Sequence, residues 1–157
     1  MRDRIGRSGG CLLYKQLIAV ACLAYLSLAS ATAQPDNDAL IAFGLSGMWA
    51  ADCAERPSSS SPHVKFAIMD GMPTRTVLTG VSQTMVMRNL RMIAPDRLGY
   101  YLQAPSKEWH YRVVARVGQD IRNHEAIGPD GTAVIKDGKY VASGAPTPLY
   151  RRCSDRT

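Results

Sequence analysis

The chain is poor in patterns that carry known chemistries. Beyond residue 33 it holds no Cys-x-x-Cys pair, no Gly-x-Ser-x-Gly frame and no glycine-rich loop that follows a strand and opens a helix. Its three histidines are His63, His110 and His124. Although His124 and Glu125 are adjacent, neighbouring strand residues face opposite sides of a sheet and do not share a metal ion. The sequence therefore predicts no catalytic residue, no metal and no cofactor.

The chain also lacks an apolar run that is long enough to cross a bilayer. The main apolar stretch, residues 16–30, is shorter than the about 20 residues that a spanning helix needs. Basic residues precede it and Ala31-Thr32-Ala33 follows it, which is the pattern of a secretory signal peptide. Ala19-Val20-Ala21-Cys22 is the competing lipobox, but it leaves too short an apolar region. We predict a signal peptide over residues 1–33 and a single periplasmic or secreted domain over residues 34–157.

Strong net charge is missing once that leader is removed. Residues 1–33 take away four of the 19 basic and one of the 13 acidic residues, so the net charge falls from +6 to +3. The largest basic cluster that remains is Arg151-Arg152. We therefore expect no nucleic-acid partner. Because the main apolar stretch is removed with the leader, we also expect no stable membrane span after cleavage.

Only two of the four cysteines remain after cleavage, Cys53 and Cys153. Two cysteines in an oxidising compartment most simply pair with each other, so we predict a disulfide that closes a loop of about 100 residues. A redox thiol or a metal ligand is the alternative, but neither cysteine has a partner at the required spacing. Because the two cysteines end the first and last predicted strands, either the strand number is odd or the bridge ties a loop rather than a ladder.

What the mature chain does have is alternation of apolar and polar residues. Residues 36–44 predict one short helix, capped by Asp36 or Asn37 and ended by Gly44. Beyond it the pattern has period two, which is typical of strands with one buried face. The clearest alternation covers residues 63–69, 97–103 and 109–117.

Turn signals then recur about every 8–12 residues, with no second helical segment to make a crossover. The alternation slips near Arg88-Asn89, which predicts a β-bulge there. The fold class is therefore all-β. We predict an antiparallel up-and-down sheet of about eight or nine strands, closed as a barrel or folded as a sandwich, with a short N-terminal helix.

Gly47-Met48-Trp49, which follows the predicted helix, resembles the G-x-W signature of lipocalin-like (calycin) barrels. The resemblance implies that Trp49 closes the bottom of a barrel and that an arginine near the last strand packs over its ring. Arg151 or Arg152 is the matching candidate, and Trp49 as an ordinary core aromatic is the alternative. The whole chain also resembles small exported proteins of Gram-negative bacteria that have no assigned activity.

Aromatic and methionine side chains are the candidates for a ligand-binding surface. Tyr100, Trp109 and Tyr111 lie on strands that are expected to adjoin, and Met85 and Met87 can line an adaptable apolar pocket. Arginines on the other parity would then form an anion-attracting face. The alternative is that the aromatics are core and that the arginines form a solvated back; these are Arg112, Arg116 and Arg122.

These patterns favour a non-enzymatic periplasmic β-barrel module that binds a small apolar molecule in its interior. A barrel of about eight strands is either filled by its own side chains or holds one ligand, so the pattern leaves both open. The alternative function is an interaction or inhibitor module. In that case loops 53–62 and 104–108 would engage another envelope protein.

Overall fold

The computed structural model describes residues 36–154, and the predicted signal peptide lies outside them. The helix in this part of the chain is not long and apolar enough to cross a membrane. The elements of the described residues are α1 (Asp36–Phe43), β1 (Gly47–Ala50), β2 (His63–Met69), β3 (Met72–Leu78), β4 (Ser82–Ala94), β5 (Arg97–Gln103), β6 (Trp109–Val117), β7 (Asp120–Ile127), β8 (Ala133–Lys136), β9 (Lys139–Tyr140) and β10 (Arg151–Cys153).

The strands form one antiparallel sheet with the order β10-β1-β2-β3-β4-β5-β6-β7-β8-β9, which curls into a half-barrel. The predicted all-β, up-and-down antiparallel class is confirmed. Two backbone hydrogen bonds, of 2.9 and 2.8 Å, join Ile121 of β7 to Tyr150 just before β10. The predicted strand number of eight or nine is wrong, because the described residues form ten. The loop at 144–148 separates β9 from β10, and each pairs with a different neighbour.

The hydrophobic core lies between α1 and one face of the sheet, which we call the inner face. Cross-strand partners share a face, so the register identifies this face along the sheet. Phe66 of β2 is paired with Arg75 of β3, and Tyr100 of β5 with Arg112 of β6. The buried core cluster comprises Ala39, Leu40, Phe43, Leu45, Trp49, Val64, Phe66, Met87, Leu90, Leu98, Tyr100, Leu102, Val114, Ile121 and Tyr150.

The predicted helix is confirmed, and Gly44 ends it as expected. Gly44 adopts φ +66°, which a residue with a side chain adopts only at a cost. Its N–H donates to Ile41 O at 2.7 Å and the N–H of Leu45 donates to Leu40 O at 3.2 Å, as in a Schellman motif. The chain reverses here, so that Leu45 enters the core and its carbonyl accepts a 2.7 Å hydrogen bond from Trp49 Nε1.

The predicted bulge in β4 is confirmed. The pairing of β4 with β5 shifts between Arg88 and Arg91, and Asn89 adopts φ +54°. The backbone N–H groups of Asn89 and Leu90 donate to the two carboxylate oxygens of Asp36 at 3.0 and 2.8 Å. Asp36 therefore ties the start of α1 to the bulge, in addition to its predicted place at the helix start.

Asp36→Ala is expected to lower the free energy of unfolding by about 2 kcal/mol, because two N–H groups of the bulge lose a charged acceptor. Chemical denaturation followed by circular dichroism measures the change. Asp38→Ala, an exposed position on the same helix, is the matched control and is expected to change little. Equal losses in the two variants would contradict the assignment.

The predicted disulfide between Cys53 and Cys153 is present, with Cα atoms 5.5 Å apart. In the ladder of β1 and β10, Met48 is opposite Cys153 and Ala50 is opposite Arg151. A continued β1 would carry Cys53 away from Cys153, so the chain turns back after Ala50. The bridge therefore ties a loop to a strand, which is the second of the two predicted possibilities.

Candidate functional site

The predicted aromatic set is divided between the two faces of the sheet. Tyr100 is opposite Arg112 on the inner face, and it is only 1% exposed. Tyr101 is opposite Tyr111, and Trp109 is two residues from Tyr111, so Trp109 and Tyr111 lie on the outer face. The prediction that Tyr100, Trp109 and Tyr111 line one surface is therefore wrong for Tyr100. Tyr101, which the alternation did not single out, takes its place.

The two predicted methionines belong to the core and not to an open surface. Met87 is fully buried in the core cluster, and the partly buried Met85 packs against that cluster. Met85 is opposite Arg75, which places it on the inner face. These two residues act as core fillers in the described structure.

A small pocket lies beside the core on the inner face. A space of about 10 Å³ lies between strands β2, β3, β6 and β7. Sites for drug-sized ligands are about 300–1,000 Å³. This space is therefore too small to hold the predicted apolar ligand. The space is lined by Val64, Phe66, Arg75, Val114, Ile121, Arg122, Asn123 and Tyr150.

A larger, open pocket lies on the outer face, beside the bulge of β4. It has a volume of about 450 Å³ and is lined by Arg88, Asn89, Tyr101 and Trp109. Trp109 is 40% exposed and Tyr101 is 38% exposed, so both rings present apolar surface to a ligand. We call these four residues the outer pocket.

The local sequence explains how these rings come to stand together. Arg88 is opposite Tyr101 in the ladder, and Tyr101 is opposite Tyr111. The rings of Tyr101 and Tyr111 have centroids 5.2 Å apart and are tilted by 54°, as aromatic pairs prefer. Gly99 makes room for this arrangement, because a Cβ there would come within 2.6 Å of the Tyr111 hydroxyl.

The loop at 104–108 leads directly into Trp109 and is held by its own hydrogen bonds. Ala104 N–H donates to Glu108 O at 2.8 Å, and Lys107 N–H donates to Ala104 O at 2.9 Å. Because the strands run up and down in chain order, loops 53–62 and 104–108 lie at the same end of the sheet. The outer pocket thus adjoins one of the two predicted interaction loops.

The arginines of β6 lie on the inner face, which contradicts their alternative assignment as a solvated back. Arg116 is held by α1, since its guanidinium donates to the carbonyl of Phe43 and stands 4.9 Å from the centroid of that ring. Burial lowers the pKa of Arg112 from its ordinary value. Burial raises the pKa of Tyr100, its partner across the ladder.

The residues of the lipocalin-like resemblance have defined places. Trp49 is fully buried in the core, and Arg152 is opposite it, whereas Arg151 is opposite Ala50. Gly47 adopts φ +124°, and a Cβ there would lie 3.1 Å from Arg152 Nε, so glycine allows this arginine to lie against the backbone. The cation–π contact of the described residues is between Arg116 and Phe43 rather than at Trp49.

Comparison with known proteins adds no relative. No family model, no curated protein and no solved structure matches this chain. The function of the chain is therefore inferred from its fold and from the outer pocket.

Proposed function

We propose that this protein is a non-enzymatic, exported β-barrel-like binding module that takes a small, planar, largely apolar molecule in its outer pocket. The observation that carries the proposal is the exposure of Trp109 and Tyr101 around a volume of about 450 Å³. That volume falls in the range of small-molecule sites. The predicted lipocalin-like relationship remains part of the proposal, with the ligand outside the core.

The outer pocket combines ring faces with two polar groups. Tyr101 and Trp109 supply flat apolar surface, while Arg88 and Asn89 supply hydrogen-bond donors at one side. Such a pairing orients a ring system by stacking and fixes a polar substituent by hydrogen bonding. A planar molecule with one anionic or carbonyl group suits it best.

Export to the periplasm is part of the proposal. The disulfide between Cys53 and Cys153 supports an oxidising compartment, since such bonds are rare where thiols are kept reduced. The apolar leader of residues 16–30 supports cleavage near Ala33. Amino-terminal sequencing of the protein recovered from the periplasm checks both points.

Trp109→Ala is expected to weaken binding of anilinonaphthalene sulfonate, an anion with a planar naphthalene ring, by about tenfold or more, because the stacking ring is lost. Fluorescence titration of the folded protein measures the dissociation constant. Trp49 is buried, so quenching of the exposed Trp109 reports on the outer pocket directly.

Two variants make this test specific. Trp109→Phe is expected to keep most of the affinity, since a ring remains, and Val134→Ala, an exposed apolar position on β8, is expected to leave it unchanged. A cooperative unfolding transition in each variant excludes probe binding to a loosened core. Equal affinity of the parent and Trp109→Ala would refute the outer pocket as the site.

A second candidate is the envelope interaction module that uses loops 53–62 and 104–108. It is favoured by an open pocket of about 360 Å³ at the same end of the sheet, shaped by loop residues Arg56 and Pro57 together with the exposed Val81. Native mass spectrometry of material purified from the periplasm separates the two candidates. A retained small molecule supports the ligand, and a retained polypeptide supports the interaction.

A further inference from the structure

Strand β4 is longer than the strand that pairs with it on one side. It covers Ser82–Ala94, but its pairing with β5 begins only at Met87, which is opposite Leu102. On the other side, β3 pairs with β4 as far as Ser82. Among the described residues, positions 82–86 of β4 therefore have a strand neighbour on one side only. We call residues 82–86 the free edge.

The loop that follows β5 does not pair with the free edge. Ala104 N–H donates to Glu108 O and Lys107 N–H donates to Ala104 O, so the loop at 104–108 forms these backbone bonds within itself. The first three residues of the free edge are exposed. Alternate residues of an antiparallel strand direct their N–H and C=O groups to opposite sides. The free edge therefore presents backbone donors and acceptors that no described strand takes up.

The two outermost strands of the sheet, in contrast, have further backbone partners. Beside β9, the N–H of Tyr140 donates to Ala145 O at 2.9 Å. Just before β10, Tyr150 and Ile121 exchange two hydrogen bonds, and the disulfide holds the end of that strand. The open position in the pairing is thus in the middle of the strand order, where β4 extends past β5.

The sequence of the free edge lacks the features that keep strands apart. Residues 76–87 contain no charged residue and no proline, and the bulge of β4 lies beyond them at Asn89. Native edge strands are usually protected by lysine, proline or a bulge. An uncharged edge that includes Thr84 and Val86 is typical of a strand that pairs with another strand.

The length of the gap identifies what fits it. A strand that pairs with the free edge must leave it opposite Val86, because β5 occupies the position beside Met87. The free edge of a second copy meets this condition, since it begins at Ser82, where the turn from β3 leads the chain away. Antiparallel pairing about Thr84 sets Ser82 opposite Val86, and both edges are then satisfied by one isologous contact.

We propose that the free edge is a dimer interface, in which it pairs with the free edge of a second copy about a two-fold axis at Thr84. No charge on either edge opposes this contact. On the outer face the hydroxyl oxygens of Thr76 and Thr84 are 2.9 Å apart, and the two-fold axis extends this pair into a row of four threonines. The interface shares no residue with the outer pocket.

Sedimentation velocity of the mature protein over a wide range of concentration tests the dimer. A reversible monomer–dimer equilibrium is expected. Hydrogen–deuterium exchange measured at the two ends of this range locates the contact, and slower exchange of residues 82–86 at the high concentration is expected. A monomer at every concentration, with or without another polypeptide bound, would overturn the proposal. A dimer whose exchange at residues 82–86 equals that of the monomer would also overturn it.

Variants assign the dimer to the free edge. Thr84→Lys is expected to weaken dimerisation by about tenfold or more, because it places two ammonium groups opposite each other at the axis. Thr84→Val keeps a β-branched, uncharged side chain without the hydroxyl, and it is expected to dimerise. Gln119→Lys adds the same charge at an exposed turn at the other end of the sheet, and it is expected to dimerise as the parent does.

A cooperative unfolding transition in each variant shows that the fold is retained. Equal dissociation constants of Thr84→Lys and the parent would contradict the assignment. An equal loss of dimer in Gln119→Lys would mean that net charge, rather than the free edge, controls association, and it would contradict the assignment as well.

Discussion

Replacing Cys53 and Cys153 together by serine is expected to lower the free energy of unfolding by about 2–5 kcal/mol. The bridge spans a sequence separation of 100 residues, for which the loss of chain entropy in the unfolded state is about 4.7 kcal/mol as an upper figure. The folded state is also affected, because β10 pairs with β1 over only three residues and its other anchor is the pairing of Tyr150 with Ile121 just before it. The strand β10 is therefore expected to detach first when the bridge is absent.

Urea denaturation of the double variant and the parent measures this effect. The slope of the free energy against urea is expected to rise in the variant, since an unfolded chain without the cross-link is less compact. The parent after reduction and alkylation is expected to reproduce the loss, and Ser60→Ala, an exposed change in the same loop, is expected to have little effect. A loss below about 1 kcal/mol would show that the β1–β10 ladder holds the end of the chain alone.

The sequence predicted strand positions correctly where the alternation is regular and is flanked by turn residues. The predicted strands over residues 63–69, 97–103 and 109–117 have the same bounds in the structure. The bulge near Asn89 was also predictable, because two apolar parities meet in one strand. The strand number was underestimated, because β9 and β10 have only two and three residues: β9 pairs with the adjacent β8, and β10 pairs with β1 at the other end of the chain.

The candidate site was harder to predict because alternation separates two faces without saying which one is buried. On β6 the alternation predicted an apolar face with Trp109 and Tyr111 and a solvated face with Arg112 and Arg116. The register with β5 places Arg112 and Arg116 on the inner face and Trp109 and Tyr111 on the outer face, although Val113 and Ala115 of the outer parity are also buried. Arg116 is accommodated inside by the carbonyl and ring of Phe43, a contact between residues that are 73 positions apart.

A second register shift was hidden for a similar reason. Val113 is opposite Glu125, but Val114 is opposite Asn123, so His124 is an extra residue in β7. On β6 the shift falls between two adjacent valines, so the apolar pattern does not change there. On β7 polar and apolar residues are mixed, so the extra residue does not stand out. The small interior space is lined in part by this stretch of β7, so no local pattern pointed to it.

Trp49→Ala is expected to cost about 3–5 kcal/mol, because Trp49 is 1% exposed and its removal leaves a large cavity in the core. The variant also loses the hydrogen bond from Nε1 to Leu45 O, which joins β1 to the end of α1. Trp109→Ala is the matched control in the same chain: its ring is 40% exposed, so its stability is expected to change little while its ligand affinity falls. Denaturation of both variants thus separates the two tryptophans into a core role and a binding role. Similar losses of stability in the two would mean that Trp109 is part of the packing, and the outer pocket would then lose its main side chain as a ligand contact.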